Sequence, residues 1–281
     1  MTSTKASRIA ALLFTLILVV SACGKDDNAT VSSEGSGSGS GTGSSAEAID
    51  TIATGKLTVC SDIPYAPFEF EEAGNVVGID PDLMRAVGHD LELDVVFQDT
   101  DFDGIFAALA ARKCDVIASS VSITDERKKA NDFTDGYFEI NQSLLVRVGD
   151  KSTVDSLEKL SGRVVGVQSE TTGAAFANER AKDAGFKVKE FTGADEMFTA
   201  LKAKQVDGLV QDFPINAYNA RVTGDTFVAK VFTDTEKEQY GFVVRKGNDE
   251  LRKAIDKALD GLRASGGYDK ILGKYLTASE G

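Results

Sequence analysis

Residues 116–129 read VIASSVSITDERKK, and this stretch is the most informative for the fold. Its apolar start, from Val116 to Ala118, is typical of a buried parallel strand. Thr124 can then cap a helix whose first turn carries two acidic residues at the positive end of the helix dipole. Arg127 extends from that turn beside several hydroxyl groups, where a guanidinium is suited to bind a carboxylate with two hydrogen bonds. Pairing of Arg127 with a structural acid on the surface is the alternative.

Patterns of strands and helices alternate along the chain, which predicts an α/β fold with parallel sheets. A first series ends near residue 119, and a second begins near Lys151. Two extended segments, 141–148 and 239–245, bracket the second series. We therefore expect the chain to leave a first lobe through one segment and to return through the other, so that the C-terminal helices pack on the first lobe.

Two motifs carry a resemblance to a known family. The sequence YAPFE at 65–69 and the sequence SSVSITDERKKANDFTDGYF at 119–138 stand in an order that resembles the family 3 extracellular solute-binding proteins. These are the polar amino-acid-binding proteins of ABC importers, and histidine-, lysine/arginine/ornithine- and glutamine-binding proteins are familiar members. The resemblance extends from about Gly55 to about Leu276.

The resemblance implies a two-lobed fold of the periplasmic-binding-protein type II. In such a fold each lobe is a mainly parallel sheet flanked by helices, and two hinge strands join the lobes. On that basis we expect residues 47–143 and 241–281 to form lobe 1 and residues 144–240 to form lobe 2. Periodicity alone does not exclude a single large sheet.

The first 46 residues have the pattern of an export signal followed by a linker. In residues 1–23, Lys5 and Arg8 precede an apolar core that is too short to span a bilayer. The sequence Val-Ser-Ala-Cys matches a lipoprotein cleavage box, which predicts that Cys23 becomes the lipidated N-terminus. An ordinary signal peptide with an incidental cysteine is the alternative. Residues 24–46 are rich in Gly and Ser, and we expect a flexible tether about 25–30 Å long. These features predict a lipoprotein outside the cytoplasm, anchored to the cell membrane.

The chain is acidic, which excludes some classes of partner. Its formal charge is −13, and it falls to −15 from residue 24 onward because Lys5 and Arg8 precede that residue. Such a chain is a poor candidate for binding nucleic acid or anionic lipid surfaces.

The cysteines and the single histidine bear on two kinds of site, a disulfide and a metal centre. Cys60 lies near the C-terminal end of a strand predicted at 56–61, whereas Cys114 precedes a strand predicted at 115–119. If these strands run side by side, the sulfur atoms lie near opposite ends, and we predict two free thiols. The Cys and His spacing does not fit a metal site, and His89 falls on the outer face of a predicted helix. We expect neither a metal nor a cofactor.

Candidate ligand-binding residues follow the predicted strands, because ligands of open parallel sheets bind beyond the carboxyl ends of the strands. A zwitterion needs a cation for its carboxylate, an anion for its ammonium group and a pocket for its remaining atoms. The strand ends supply all three. The candidates are Asp62, Tyr65, Phe102, Ser119, Ser120, Ser122, Arg127, Gln168, Thr171, Thr172 and Asp212.

Two of these residues are assigned to the charged ends of the ligand. Arg127 is expected to bind the carboxylate, assisted by Ser122 and by backbone donors of Thr171 and Thr172 at a helix N-terminus. Asp212 is expected to accept hydrogen bonds from the ammonium group, and a role as N-cap of the following helix is the alternative. The resemblance favours the first role for Asp212, since the ammonium-binding aspartate of the family occupies this position.

The remaining candidates concern the side chain of the ligand. Tyr65 and Phe102 would enclose it, although aromatic residues in such positions are often simple core residues. The resemblance places Asp62 where the family contacts the ligand side chain, and a buried carboxylate there repels glutamate and favours a cation. Gln168 departs from the residues usual at its position, and Glu170 replaces a usual glycine. A basic amino acid is therefore favoured, with glutamine or another polar amino acid as the alternative.

The resemblance implies a monomeric binding protein that delivers its ligand to an ABC permease. Because the ligand contacts divide between the lobes, binding is expected to favour the closed state. An enzyme of the dehydratase type is an alternative, but the chain offers no strong pair of nucleophile and base. A surface sensor that docks to a signalling receptor is a further alternative.

Overall fold

The computed structural model describes residues 49–276. The predicted signal, the lipidation site Cys23 and the tether 24–46 lie outside these residues and stay predictions. None of the helices within the described range is long and apolar enough to cross a membrane. The strands are β1 Lys56–Ser61, β2 Phe70–Glu72, β3 Asn75–Val77, β4 Asp94–Asp99, β5 Val116–Ile117, β6 Asn131–Phe133, β7 Phe138–Ile140, β8 Gln142–Arg147, β9 Val164–Gln168, β10 Lys187–Phe191, β11 Gly208–Asp212, β12 Thr226–Val231, β13 Glu238–Tyr240 and β14 Val243–Arg245. The α-helices are α1 Ile79–Asp90, α2 Phe102–Ala110, α3 Asp125–Ala130, α4 Thr172–Ala184, α5 Ala194–Lys202, α6 Phe213–Thr223, α7 Asp249–Ala264 and α8 Gly267–Leu276.

Two five-stranded sheets confirm the predicted α/β fold. Their strand orders are β4-β1-β5-β14-β6 and β10-β9-β11-β8-β12. In the first sheet β14 runs antiparallel to both of its neighbours, while β4, β1 and β5 are parallel. In the second sheet β8 is the reversed strand, and β10, β9 and β11 are parallel. Four of the five strands in each sheet therefore run in one direction, as expected of mainly parallel sheets.

The chain passes between the two sheets through β7 and β13, which pair with each other in an antiparallel two-stranded sheet. The extended segments 141–148 and 239–245 were expected to be the connections between the lobes. They form them only in part, because β8 belongs to the second sheet and β14 to the first. The sequence pattern shows that a backbone is extended but not which strand it pairs with. The residue boundaries of the two lobes stay a prediction.

Each helix that borders the candidate site has a local reason to begin or end where it does. Thr171 is the N-cap of α4, and its hydroxyl accepts the Ala174 N–H at 3.0 Å. Thr124 is the N-cap of α3 and accepts the Arg127 N–H at 3.2 Å, as predicted. Gly185 ends α4 in the left-handed conformation that favours glycine.

The C-terminal helix α7 packs on the first sheet and on α1, and α8 packs on α1 and α7. Leu83 of α1, Ile255 and Leu259 of α7, and Leu57 and Val59 of β1 are fully buried in one apolar cluster. Burial of each such side chain contributes roughly 1.5–3 kcal/mol. The return of the chain to the first sheet therefore adds substantially to its core.

A disulfide joins Cys60 and Cys114, so the prediction of two free thiols is wrong. Their Cα atoms are 5.7 Å apart, which is within the range for a disulfide. The error came from placing Cys114 in line with the strand that follows it. That strand begins only at Val116, and Cys114 lies in the same apolar cluster as α2 and the side chain of Cys60.

Candidate functional site

One cavity brings together all of the candidate residues. They come from the ends of strands in both sheets and from the helices that follow those strands. One residue that was not among the candidates, Glu69, also lines the cavity. The lining residues are Asp62, Tyr65, Glu69, Phe102, Ser119, Ser120, Ser122, Arg127, Gln168, Thr171, Thr172 and Asp212.

Arg127 is held in the cavity wall by backbone carbonyl groups on both sides. Its guanidinium donates to the carbonyl oxygen of Ser122 at 2.9 Å and to that of Glu170 at 2.9 Å. It also lies 5.4 Å from the ring centre of Phe102 and 5.3 Å from that of Phe106. Among the described residues it forms no ion pair, which argues against a surface role paired with a structural acid. The guanidinium therefore keeps donors for a further acceptor.

The hydroxyl groups after β5 form one side of the cavity. Ser119 accepts the backbone N–H of Asp62 at 2.9 Å and donates to Glu69 at 3.1 Å. Ser120 has a left-handed backbone, with φ of 50°, and directs its hydroxyl to Glu69 and its N–H to Asp80. These serines therefore position carboxyl groups as well as line the cavity.

The N-terminus of α4 forms part of the opposite side. Thr171 donates its hydroxyl to the carbonyl oxygen of Gln168 at 2.7 Å, which fixes the turn before the helix. Thr172 opens the helix, and its hydroxyl accepts the amide of Gln142 at 3.3 Å. The first N–H groups of a helix have no partner within it, so they favour an anion here.

Asp212 is buried, and its carboxylate faces the cavity instead of capping α6. It occupies the N-cap position, but its side chain makes no capping hydrogen bond. It accepts from the hydroxyls of Tyr65, at 3.0 Å, and Tyr240, and from the Gln142 amide. Burial, together with the charge of Glu238, raises the pKa of Asp212 to about 6, although its three side-chain hydrogen bonds lower it. A cation beside this carboxylate would therefore be strongly favoured.

The two aromatic candidates are both core residues and cavity residues. Tyr65 belongs to the cluster that includes β1 and α1, and Phe102 to the cluster that contains the disulfide. The sequence suggested only enclosure of a side chain. In addition, the Tyr65 hydroxyl reaches Asp212 from the first sheet, and Phe102 stacks beside Arg127.

Asp62 and Gln168 meet across the cavity. The Gln168 amide donates to the Asp62 carboxylate at 2.6 Å and to the Thr192 carbonyl oxygen at 2.9 Å. Burial, together with the charges of nearby acids, raises the pKa of Asp62 to about 7, although the Gln168 hydrogen bond lowers it. Two other contacts, of Tyr65 with Asp212 and of Arg127 with Glu170, likewise link a segment that follows a strand of the first sheet to the end of a strand of the second sheet or the turn after it.

Glu69 is the residue that the sequence reasoning missed. It is fully buried, and its two carboxyl oxygens accept the hydroxyls of Ser119 and Ser120. The YAPFE motif contains this acid, but a short motif does not indicate which way each side chain points. Its position directly after a buried aromatic residue, Phe68, was the available signal, since a carboxyl in such a place needs a specific partner.

The cavity has no features of a metal centre or of a nucleophilic enzyme. No group of three or more metal-ligating side chains occurs among residues 49–276. The hydroxyls of Ser119 and Ser120 donate to a carboxyl group, and His89 is exposed at the end of α1, away from the lining residues. The arrangement therefore serves to bind charged groups.

Comparison with known proteins identifies the family. Residues 57–278 match the family described as bacterial extracellular solute-binding proteins, family 3. The chain belongs to this family. A probable histidine-binding protein of Neisseria gonorrhoeae is 35% identical, over an alignment 281 positions long that covers 97% of this chain and 96% of that protein.

Solved structures of similar proteins agree with this membership. An ancestral arginine-binding protein bound to arginine is 39% identical, with a TM-score of 0.74, and the match covers 79% of this chain and 98% of that one. An amino acid ABC transporter substrate-binding protein of Streptococcus pneumoniae bound to L-arginine is 28% identical, with a TM-score of 0.75 and coverage of 80% and 96%. The solute-binding protein described here thus has the two-lobed type II fold, and it is a binding protein and not an enzyme.

Proposed function

We propose that this solute-binding protein captures a basic amino acid in the cavity between its two sheets. Arg127 binds the α-carboxylate, together with the N–H groups that open α4, and Asp212 binds the α-ammonium group. The observation that carries the proposal is that one cavity is lined by a guanidinium with free donors and by a buried carboxylate. The guanidinium belongs to Arg127 of α3, and the carboxylate belongs to Asp212 at the end of β11. The arginine and histidine in the names of similar proteins support the same class of ligand.

A cationic side chain is favoured by the acids around the rest of the cavity. Asp62 and Glu69 both line it, and within residues 49–276 neither forms an ion pair with a lysine or arginine. An ammonium, imidazolium or guanidinium group would supply the missing charge. Glutamine is the alternative, because the Gln168 amide can bind a neutral amide side chain.

The mechanism follows from the division of contacts between the sheets. A ligand that bridges Arg127 and Asp212 is fully bound only when the two lobes are closed, so binding shifts the population towards the closed state. A shift from 1:99 to 99:1 requires a difference in binding free energy of about 5.5 kcal/mol between the two states. The contacts of Asp62 with Gln168 and of Tyr65 with Asp212 join the same two sides of the cavity.

The closed form is proposed to deliver its ligand to an ABC permease at the cell membrane. The protein acts as a monomer outside the cytoplasm, held by lipid on Cys23 through the tether 24–46. Two acyl chains are enough for stable anchoring.

Fractionation of cells that express the wild type and Cys23→Ala tests the lipid anchor. The wild type is expected with the membranes, and the variant is expected in the soluble extracytoplasmic fraction. Equal membrane association of both would contradict it.

A thermal-shift screen of the common amino acids tests the choice of ligand. A ligand that binds only the folded protein stabilises it by about 2.7 kcal/mol at one hundred times its dissociation constant. We expect arginine, lysine or histidine to raise the melting temperature most, glutamine less and glutamate not at all. Asp62→Asn is expected to reduce the preference for arginine over glutamine, whereas Asp90→Asn, at an exposed acid at the end of α1, leaves it unchanged. Tight binding of glutamate without binding of any basic amino acid would overturn the proposal.

A further inference from the structure

Two buried carboxyl groups, those of Glu69 and Asp80, are bridged by a single residue. The Ser120 hydroxyl donates to Glu69 at 3.3 Å, and the Ser120 N–H donates to Asp80 at 2.9 Å. Both acids are fully buried. Glu69 lines the ligand cavity, whereas Asp80 lies behind it, in the first turn of α1. The two groups form an acid pair in which only one member reaches the ligand.

The partners of the two acids differ in a way that decides which one keeps a proton. Asp80 accepts from the Tyr137 hydroxyl, at 2.6 Å, and from a backbone N–H, and it lies at the positive end of a helix dipole. Glu69 accepts only from the hydroxyls of Ser119 and Ser120. Like charges this close in a buried place disfavour double ionisation, so Asp80 is the better anion and Glu69 the better acid.

The charges of Asp62, beyond β1, and of Asp80, in α1, both favour the neutral form of Glu69. The hydroxyl groups of tyrosines 65 and 137 are the other titratable groups near it. Burial raises the pKa of Glu69 well above its ordinary value, and the charge of Asp80 raises it further. Among residues 49–276 no lysine or arginine forms an ion pair with Glu69 or Asp80. The cavity therefore holds a carboxyl group whose charge depends on what lies beside it.

We propose that Glu69 distinguishes solutes by their charge, because a cationic side chain binds with release of the Glu69 proton and a neutral side chain binds with the proton retained. This role rests on the proposed function, since it requires an amino acid in the cavity. The proton passes from the Glu69 carboxyl to solvent or buffer, and the cation takes its place as the partner of the carboxylate. Asp80 is a positioning residue that acts through Glu69.

The proposal makes affinity depend on pH to different extents for two similar ligands. When one proton is released on binding, affinity rises about tenfold for each pH unit while Glu69 is protonated in the free protein. Arginine is therefore expected to bind more tightly as the pH rises from 5 to 7. Citrulline, which has the shape of arginine but a neutral side chain, is expected to show a flatter dependence.

Calorimetry in buffers with different enthalpies of ionisation measures the released protons directly. Arginine and citrulline are titrated at pH 6.5 into the wild type, Glu69→Gln and the control Glu71→Gln, which changes an exposed acid of β2. We expect Glu69→Gln to release fewer protons than the wild type on arginine binding, by about one. Glu71→Gln is expected to release as many protons as the wild type. Asp62→Asn, which changes another acid that lines the cavity, is expected to keep the proton release that comes from Glu69.

The outcomes separate this inference from the proposed function. If arginine binds and Glu69→Gln releases as many protons as the wild type, the role of Glu69 is wrong and the proposed function stands. If no basic amino acid binds the wild type, both are wrong. Should Glu69→Gln fail to fold, Asp80→Asn replaces it: loss of the neighbouring charge favours ionised Glu69, so proton release on arginine binding must fall. An unchanged number of protons released on arginine binding in Asp80→Asn overturns the inference.

Discussion

Replacement of Arg127 by alanine is the most informative single substitution at the cavity. A guanidinium has five N–H donors, and two of them are used by the carbonyl oxygens of Ser122 and Glu170. Three remain for an α-carboxylate, which permits a bidentate contact. Hydrogen bonds to charged groups contribute about 1.5–3 kcal/mol each, and truncation of one partner of a buried charged pair costs about 2–5 kcal/mol. We therefore expect a loss of about 2–4 kcal/mol, which raises the dissociation constant roughly 30- to 1,000-fold.

The assay is isothermal titration with the ligand selected by the thermal-shift screen, at constant pH and salt. Arg85→Ala is a matched control, because Arg85 also lies over an aromatic ring, at 5.0 Å from the centre of Phe97, and donates to a backbone carbonyl. It pairs with Asp82 outside the cavity, so its removal leaves affinity unchanged. Wild-type affinity in Arg127→Ala, or an equal loss in Arg85→Ala, would refute the assignment.

Three further perturbations test other parts of the account. Asp212→Asn removes the charge that faces the ammonium group and keeps the shape of the side chain. Titration is therefore expected to show an affinity for the ligand at least about tenfold weaker. An unchanged affinity would argue that Asp212 has a structural role alone. Burial raises the pKa of Asp80 in the folded protein, so its stabilising contribution is complete below its ordinary pKa near 4 and is lost as the pH rises through the raised value. Urea unfolding from pH 5 to 8 is expected to show a smaller loss of stability with pH in Asp80→Asn than in the wild type, and parallel curves would count against the buried acid pair. The disulfide closes a loop with a sequence separation of 54. A double Cys60→Ala, Cys114→Ala variant is therefore expected to lose up to about 4 kcal/mol of unfolding free energy. Equal stability of the wild type and this variant in the absence of reductant would contradict the expectation.

Much of the fold follows from local sequence patterns. Periodicity and capping residues predicted the strand at 56–61 and the helix that Thr124 caps, because both depend on neighbours in the chain. Pairing across the molecule could not be predicted in the same way. The disulfide and the pairing of β7 with β13 depend on how distant segments are arranged, and a linear placement of Cys114 gave the wrong answer.

The meeting of the candidate residues at one place could be predicted because strand ends and helix starts lie at one edge of each sheet, and their role in ligand binding stays a prediction. All eleven lie at one cavity. What the sequence did not indicate is the second set of partners: the Tyr65 hydroxyl on Asp212, the Gln168 amide on Asp62, and the acid pair of Glu69 and Asp80. These contacts join residues far apart in the chain, and they determine the charge of the cavity.

A crystal structure of the protein grown with excess arginine would test the central claim most directly. The account predicts one arginine in the cavity, its α-carboxylate on Arg127 and the N-terminus of α4, and its α-ammonium group on Asp212. An arginine whose two charged groups both contact residues of a single sheet, or a cavity without arginine and with Arg127 turned to solvent, would contradict it.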